Sequence, residues 1–276
     1  MLTIVVTWRD RDELGRAMPS MVESARSVGG EVVIVNFGGD ADRLATQLRD
    51  VSPPYRVIGG PEQRYFHKAV ANNIGARFAA SPILFFCDCD IILPDGLVRS
   101  LVDRLQAAPG HFATLAGVRE TEVNARGGRH VVSFGYQLDI RTADGRRLQI
   151  VDNEEDAENG TRQAPGLLLV TKSDFLAIEG YNSQLHGWGW EDQDMISRLT
   201  LGGGLTRITQ GYALHISHDD EGRIGAYPPV ASRWESRDRM FRTALANYDE
   251  GRFMGSYSSD NETHCSFREV APSPAC

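Results

Sequence analysis

This 276-residue sequence contains no apolar run approaching the roughly 18 residues that a membrane-spanning helix needs. Its first apolar stretch, Leu2–Thr7, is broken at once by Trp8-Arg9-Asp10-Arg11-Asp12, far short of the core of a secretory leader. Cysteine is scarce. Of the four, Cys87 and Cys89 alternate along one apolar segment and Cys265 and Cys276 lie near the end, so no disulfide framework is indicated. A reduced, cytoplasmic protein is the simplest expectation, and the sequons at Asn159 and Asn261 are then chance matches. Basic residues are outnumbered, 29 Lys and Arg against 37 Asp and Glu. The net charge of −8 argues against a partner recognised through its phosphate backbone, and so against nucleic acid. A small nucleotide site, needing only a few local cations or one metal ion, is not excluded.

What is present is a change of rhythm along the chain. Up to about residue 110, β-branched runs (Leu2–Thr7, Glu31–Phe37, Tyr55–Ile58, Ile83–Cys87) alternate with helical segments over 12–28, 41–50 and 64–80. That alternation predicts an α/β fold, a Rossmann-like twisted and mostly parallel sheet with helices on both faces. Beyond it, Phe112–Val118, His130–Asp139 and Arg147–Val151 read as antiparallel strands joined by turns at Gly127-Gly128 and Ala143-Asp144-Gly145. Asp152–Ala164 is acidic and aperiodic, a candidate mobile loop; a strand at Leu167–Thr171 and helices at 173–179, 191–201 and 232–247 follow. One domain over 1–250 is expected, with a nucleotide-binding half (1–110) and an acceptor and metal half (111–250). The tail from 251 to 276 is expected to be poorly ordered.

Open sheets of this kind bind ligands beyond the carboxyl ends of their strands. Asp88-Cys89-Asp90 stands there, after the most apolar run, its two carboxylates expected to point to one side. A divalent cation would relieve their repulsion, although an acidic turn closing a strand needs no ligand. Gly187-Trp188-Gly189-Trp190-Glu191-Asp192-Gln193-Asp194 offers flat aromatic faces suited to sugar rings and then an acidic helical first turn. The helix dipole alone explains acids there and keeps them ionised; an ionised carboxylate beside a sugar can also accept the proton of an attacking hydroxyl. His215 and His218, three apart, could share a metal or pair with the neighbouring Asp219-Asp220. Arg9, Arg11, Arg64 and Lys68 are candidate diphosphate or base contacts, or solvated surface.

Taken in order, these stretches resemble the β1,4-galactosyltransferase family and related bacterial enzymes of the GT-A fold. Thr7-Trp8-Arg9-Asp10-Arg11 is similar to that family's Pro-Phe-Arg-Asn-Arg, and Phe66–Gly75 to its Phe-Asn-Arg-Ala helix. Asp88-Cys89-Asp90 is similar to Asp-Val-Asp, and Gly187–Asp194 to Gly-Trp-Gly-Gly-Glu-Asp-Asp-Asp. The resemblance covers about residues 1–220. It implies a UDP-sugar donor, a hydroxyl-bearing acceptor (glycan, lipid, peptide or small metabolite), Mn²⁺ (or Mg²⁺) and inversion at the anomeric carbon. It implies that Asp90 and His218 ligate the metal, with His215 where animal members have methionine. Asp192 is implied as the base, and Trp188, Gly189, Trp190 and Glu191 as the sugar and acceptor surface. Thr7, Arg9, Arg11, Phe66, Lys68, Asp88 and Cys89 fall where the family holds its nucleotide. Trp190 replaces a glycine of that pattern, so the family's sugars do not carry over. The alternatives are a retaining enzyme like the polypeptide N-acetylgalactosaminyltransferases and a non-catalytic sugar- or nucleotide-binding module.

Overall fold

Four β-branched runs, Leu2–Trp8 (β1), Glu31–Asn36 (β2), Tyr55–Gly59 (β3) and Ile83–Asp88 (β4), pair in parallel because helices return the chain between them. The computed structural model describes residues 1–122, 130–218 and 224–270. The returns are α1 (Glu13–Ser27), α2 (Ala41–Leu48) and α3 (Lys68–Phe78). Leu2, Ile4, Val6 and Trp8 of β1 pack with Leu14 and Met18 of α1, whereas Val5 faces the opposite core. Helices therefore cover both faces, as the near-continuous apolar strands require. After β5 (Ile91–Ile92), α4 (Leu97–Ala107) adds Val98, Leu101 and Leu105 to the first core.

The expected strand over 112–118 is two. β6 (His111–Thr114) joins the large sheet, and β7 (Gly117–Glu120) leaves it for a second one. The break falls at Leu115 and Ala116, whose amides turn to Leu167 and Gly211. β8 (Gly135–Arg141) and β9 (Arg147–Asn153) make the expected antiparallel hairpin, its ladder starting five residues later than His130. The turn expected at Gly127-Gly128 lies outside the described residues. Then follow β10 (Thr161–Arg162), β11 (Leu168–Thr171), α5 (Lys172–Ala177), α6 (Glu191–Ser197) with a π-helical turn at Arg198–Gly202, β12 (Thr206–Thr209), β13 (Tyr212–His215) and α7 (Arg233–Asp249). The large sheet runs β12-β6-β11-β4-β1-β2-β3 and onward to an eighth strand; a smaller sheet runs β10-β7-β13-β5. Residue 110 thus divides no sheet: three strands from the second half extend the first half's sheet, and β5 joins the smaller one.

Two expectations are overturned. The tail from 251 is ordered through residue 270, where α8 (Tyr257–Thr263) packs on α3 and β14 (Arg268–Val270) closes the sheet edge against β3. Its polar sequence hides buried anchors: Phe267 sits against Phe37, and Asp260 accepts from the fully buried Asn73 at 2.7 Å. Likewise Asp152–Ala164 is not a free loop. Its ends belong to β9 and β10, and Asp152 and Glu154 are ion-paired to Arg237 of α7. No described helix is long and apolar enough to cross a membrane.

Asn73 is the pin of this arrangement, since it also donates to the Tyr181 carbonyl at 2.9 Å and accepts from the Tyr181 amide at 2.8 Å. Asn73→Ala removes three buried hydrogen bonds and leaves the Tyr181 amide without its partner, while Ser256 still serves the Tyr181 carbonyl and Asp260. It should cost about 1–3 kcal/mol in chemical denaturation. A loss below about 0.5 kcal/mol would show that the tail is not held this way.

Candidate active site

β4 ends at Asp88 and the chain turns before Asp90, and both aspartates line one cavity. Asp90 turns inward and is buried; Asp88 remains partly exposed and meets Lys68 Nζ at 2.8 Å. Around Asp90 gather His215, at the end of β13, and His218, three residues on. Their Nε2 atoms lie 3.5 and 3.2 Å from Asp90 Oδ2. One ligand atom from each of the three residues falls within 4.8 Å of the others. A carboxylate and two imidazoles spaced like this could serve as donors to a divalent metal. Two further observations fit a cation there. Asp90 Oδ1 is buried and has no hydrogen-bond partner among the described residues. His215 is fixed through its other nitrogen, Nδ1, 2.6 Å from Glu120 Oε2, the outer-shell brace typical of a metal-bound imidazole. Burial acts to raise the Glu120 carboxyl, but the bonds from His215 and Arg162 outweigh it and hold it down at about 2. Burial likewise opposes the charge on Asp90, and the two histidines with Arg11 pull it well below the usual range.

Arg11, a nucleotide candidate, lines the same cavity and bridges Asp90, 3.2 Å away, and Glu13 at 3.0 Å, on the edge of the Asp90–histidine cluster. Lys68, another nucleotide candidate, begins α3 and reaches three carboxylates: Asp88, Asp192 at 3.0 Å and Glu191 at 3.5 Å. Burial works against the ammonium, yet these acids raise its pKa well above the ordinary value. Burial and Asp192 push Glu191 up to about 7, and burial raises Asp192 despite Lys68. The helix dipole expected to keep these acids ionised is therefore not what sets their charge; α6 is only seven residues long and its acids are desolvated. Asp192 Oδ1 and Glu191 Oε2 lack hydrogen-bond partners among the described residues. Asp194, from the same acidic run, turns to the core instead, pairing at 2.7 Å with the buried Arg198 and accepting from Tyr248 of α7.

The Trp-Gly loop divides its tryptophans. Trp188 lines the cavity, its amide donating to Ser236 Oγ of α7. Trp190 is 2% exposed and stacks edge-on against Phe241, so its ring belongs to the core and only its edge to the cavity wall. Gly189 and Trp190 both have positive φ, 90° and 70°. A tryptophan tolerates that backbone because its indole is locked in the core. Behind the loop, His67 and His186 stack with centroids 4.0 Å apart. Thr7, Arg9, Phe66, Cys89, Trp188, Gly189, Glu191 and Asp192 all line one cavity of about 1290 Å³ together with Asp90, His215 and His218. Arg9 spans to the Arg64 carbonyl, and Phe66 packs edge-on against Tyr227.

Sequence reasoning missed two groups. Gly166 backs directly onto Asp192: a Cβ there would lie 2.5 Å from its Oδ2, so the backbone itself fixes the carboxylate. The other is a wall formed by β8, β9 and α7, where Arg233 and Arg237 pair with Glu154 at 3.0 and 3.1 Å, Arg237 also with Asp152, and Trp234 stands over both guanidinium groups. A Trp between arginines just after the Ser232 cap was the available signal.

Burial lowers the His67 imidazole to about 3, below its ordinary 6.5, so the folded state binds its proton less readily than the unfolded chain. Its contribution to stability is complete above about pH 6.5 and drains as pH falls toward 3. His67→Gln should flatten the stability profile between pH 6.5 and 4; an unchanged slope overturns this. For the metal cluster, Mn²⁺ should raise the melting temperature of the protein by several degrees, by mass action on the folded state. Asp90→Asn and His218→Ala should each abolish the rise. A full shift retained in both would remove the cluster from metal binding.

Residues 3–153 match the family described as glycosyl transferase family 2, and residues 152–219 match the N-terminal domain of galactosyltransferase. A putative polypeptide N-acetylgalactosaminyltransferase 9 of Drosophila melanogaster is 22% identical over 205 residues, covering 68% of this chain; the chain spans only 30% of that relative's length. Among solved structures, Drosophila β1,4-galactosyltransferase 7, as a mutant with manganese, UDP-Gal and xylobiose, is 17% identical with a TM-score of 0.47, covering 86% of this chain and 79% of that one. The catalytic domain of the same enzyme with xylobiose gives a TM-score of 0.45 at 17% identity, over 85% and 77% of the two chains. With more than half of its length matched and the parallel sheet that the GT-A architecture requires, the chain belongs to glycosyl transferase family 2.

Proposed function

We propose that this protein is a metal-dependent, inverting glycosyltransferase that moves a hexose or N-acetylhexosamine from a UDP-sugar to a hydroxyl acceptor. One observation carries the reading: the Asp90–His215–His218 cluster and the partnerless oxygen of Asp192 open into one cavity. Its volume of about 1290 Å³ exceeds the 300–1,000 Å³ of ordinary single-ligand pockets, as two substrates require.

In this mechanism the nucleotide lies across the ends of β1 and β4, near Thr7, Arg9, Phe66 and Asp88. Asp90, His215 and His218 would hold Mn²⁺, which supplies positive charge to the departing diphosphate. Two imidazoles in the set favour Mn²⁺ over Mg²⁺, which prefers an all-oxygen shell. Trp188 walls the sugar. Asp192 is held through Oδ2 by Lys68 and from behind by Gly166, leaving Oδ1 for the acceptor proton. Desolvation makes it a stronger base than an exposed aspartate, which suits the role. The hydroxyl, losing its proton there, attacks the face of the sugar opposite the diphosphate.

The second reading is a retaining enzyme similar to the polypeptide N-acetylgalactosaminyltransferases, the kind of transferase that the Drosophila relative's name gives. The anomeric configuration of the product, read by NMR, separates the two. Asp192→Asn should bind the UDP-sugar as the parent does and lose transfer by about 10²–10⁴-fold, the usual worth of a general base. Turnover within a few-fold of the parent would end the assignment.

A further inference from the structure

The acceptor end of the cavity differs in chemistry from the donor end. Val132 and Phe134 lie on the stretch that leads into β8, where Tyr136 follows. The segment is held by Val132 and Phe134 carbonyls accepting from Ala157 and Glu154 amides at 2.8 and 3.0 Å. Val131, Val132, Phe134 and Trp234 are 58%, 43%, 51% and 45% exposed, yet each lines the cavity that holds Asp192. Phe134 and Trp234 face each other with ring centroids 6.4 Å apart and a tilt of 33°.

The polar groups beneath these rings are spent on one another. Arg237 donates to Tyr136 Oη at 2.6 Å and pairs with Asp152 and Glu154; Arg233 pairs with Glu154. Gln193, next to Asp192, ties into the same network through Asp152 at 3.4 Å. A subsite for further sugar rings needs hydrogen-bonding groups aimed at hydroxyls, because unpaired hydroxyls are costly to desolvate. This wall gathers aliphatic and aromatic surface beside the polar lining of Ser133, Asn153 and Gln163, on a framework braced by ion pairs. Exposed apolar surface gathered at the mouth of a reaction cavity marks a ligand face.

Resting on the transferase reading above, we propose that Val132, Phe134 and Trp234 form a specificity site for an apolar aglycone, so that the acceptor is a hydroxyl-bearing head carried on a hydrocarbon or aryl group. The head places its hydroxyl at Asp192 while the aglycone lies between Phe134 and Trp234 and over the valines. The α7 arginines act as positioning residues that hold Trp234.

The test compares methyl, octyl and p-nitrophenyl glycosides of one accepted sugar, each in monomeric solution, in steady-state transfer. The octyl or the aryl glycoside should have a KM at least about tenfold below the methyl glycoside, a gain that fewer than two buried methylene groups supply. The octyl arm reports a lipid-like aglycone, the aryl arm a planar one; either advantage supports the site, and equal KM for all three overturns it. In Phe134→Ala and Trp234→Ala the methyl-to-octyl KM ratio should collapse toward one, and Trp234→Phe should restore much of it. A ratio unchanged in both alanine variants also overturns the site. Quenching of tryptophan fluorescence by octyl but not methyl glycoside, lost in Trp234→Phe, reads binding without turnover. If octyl glycoside binds this way but no UDP-sugar is consumed with any acceptor, the transferase reading fails and the apolar site survives. If transfer proceeds without aglycone preference, only the site fails.

Discussion

Four carboxylates, Asp90, Glu120, Glu191 and Asp192, are withdrawn from water on the walls of one cavity, and every other feature of the site answers to that charge. Desolvation penalises each of them, and an unpaired buried anion costs several kcal/mol, on the order of the whole stability of a domain. The chain meets the demand in two separate ways. On one side, His215, His218, Arg11 and Arg162 surround Asp90 and Glu120 and pull both carboxyls down. On the other, the ammonium of Lys68 meets Asp88, Glu191 and Asp192, and burial together with Asp192 lifts Glu191 to about 7. The first side is built to stay anionic beside a cation. The second is poised to take up a proton.

That division has structural consequences. Lys68 opens α3, which packs on the inner strands β1 and β2; α8 packs on α3 and is tied to it by the bond from Asn73 to Asp260, so the tail becomes part of the support for the site. The α6 acids must face the cavity while Asp194 faces the core, which the positive-φ turn at Gly189 and Trp190 achieves by starting the helix abruptly. Burying the Trp190 indole against Phe241 holds that turn in place. The same residue is thus core and hinge of the acidic motif, a role its sequence position alone does not reveal.

Much of this is legible in the sequence. The parallel sheet follows from β-branched runs alternating with helical ones, because period and length are local properties. The Asp88-Cys89-Asp90 motif and the three-residue spacing of His215 and His218 each mark candidate ligands, the resemblance joins them into one set, and the structure gathers Asp90, His215 and His218. What sequence does not supply are pairings between distant segments. Nothing local shows that α6 delivers two acids to Lys68. Nor does the Asp88-Cys89-Asp90 motif show that Asp88 meets Lys68 while Asp90 meets the two histidines. The tail looks disordered because its anchors, Asp260 and Phe267, are isolated in polar sequence and gain meaning only against Asn73 and Phe37. The wall of hairpin and α7 escapes because its arginines and acids lie some eighty residues apart and each alone resembles solvated surface.

Chemistry and selectivity consequently rest on different parts of the chain. Asp90, His215, Lys68 and Asp192 come from strand ends and helix starts fixed by the large sheet and its partners, so a small displacement of any would break several buried pairs together. The hairpin and α7 meet each other mainly through side chains, and their ion pairs close on themselves without drawing on the catalytic charges, save for the one bond from Gln193 to Asp152. Substitutions at Phe134 or Trp234 can therefore change the shape and polarity of the acceptor end without leaving a charge unpaired. Substitutions at Lys68 or Arg11 cannot. Under the proposed reading, the groups assigned to the reaction are the constrained part of this site and the apolar wall the variable one, because only the former are enforced by the electrostatics of burial.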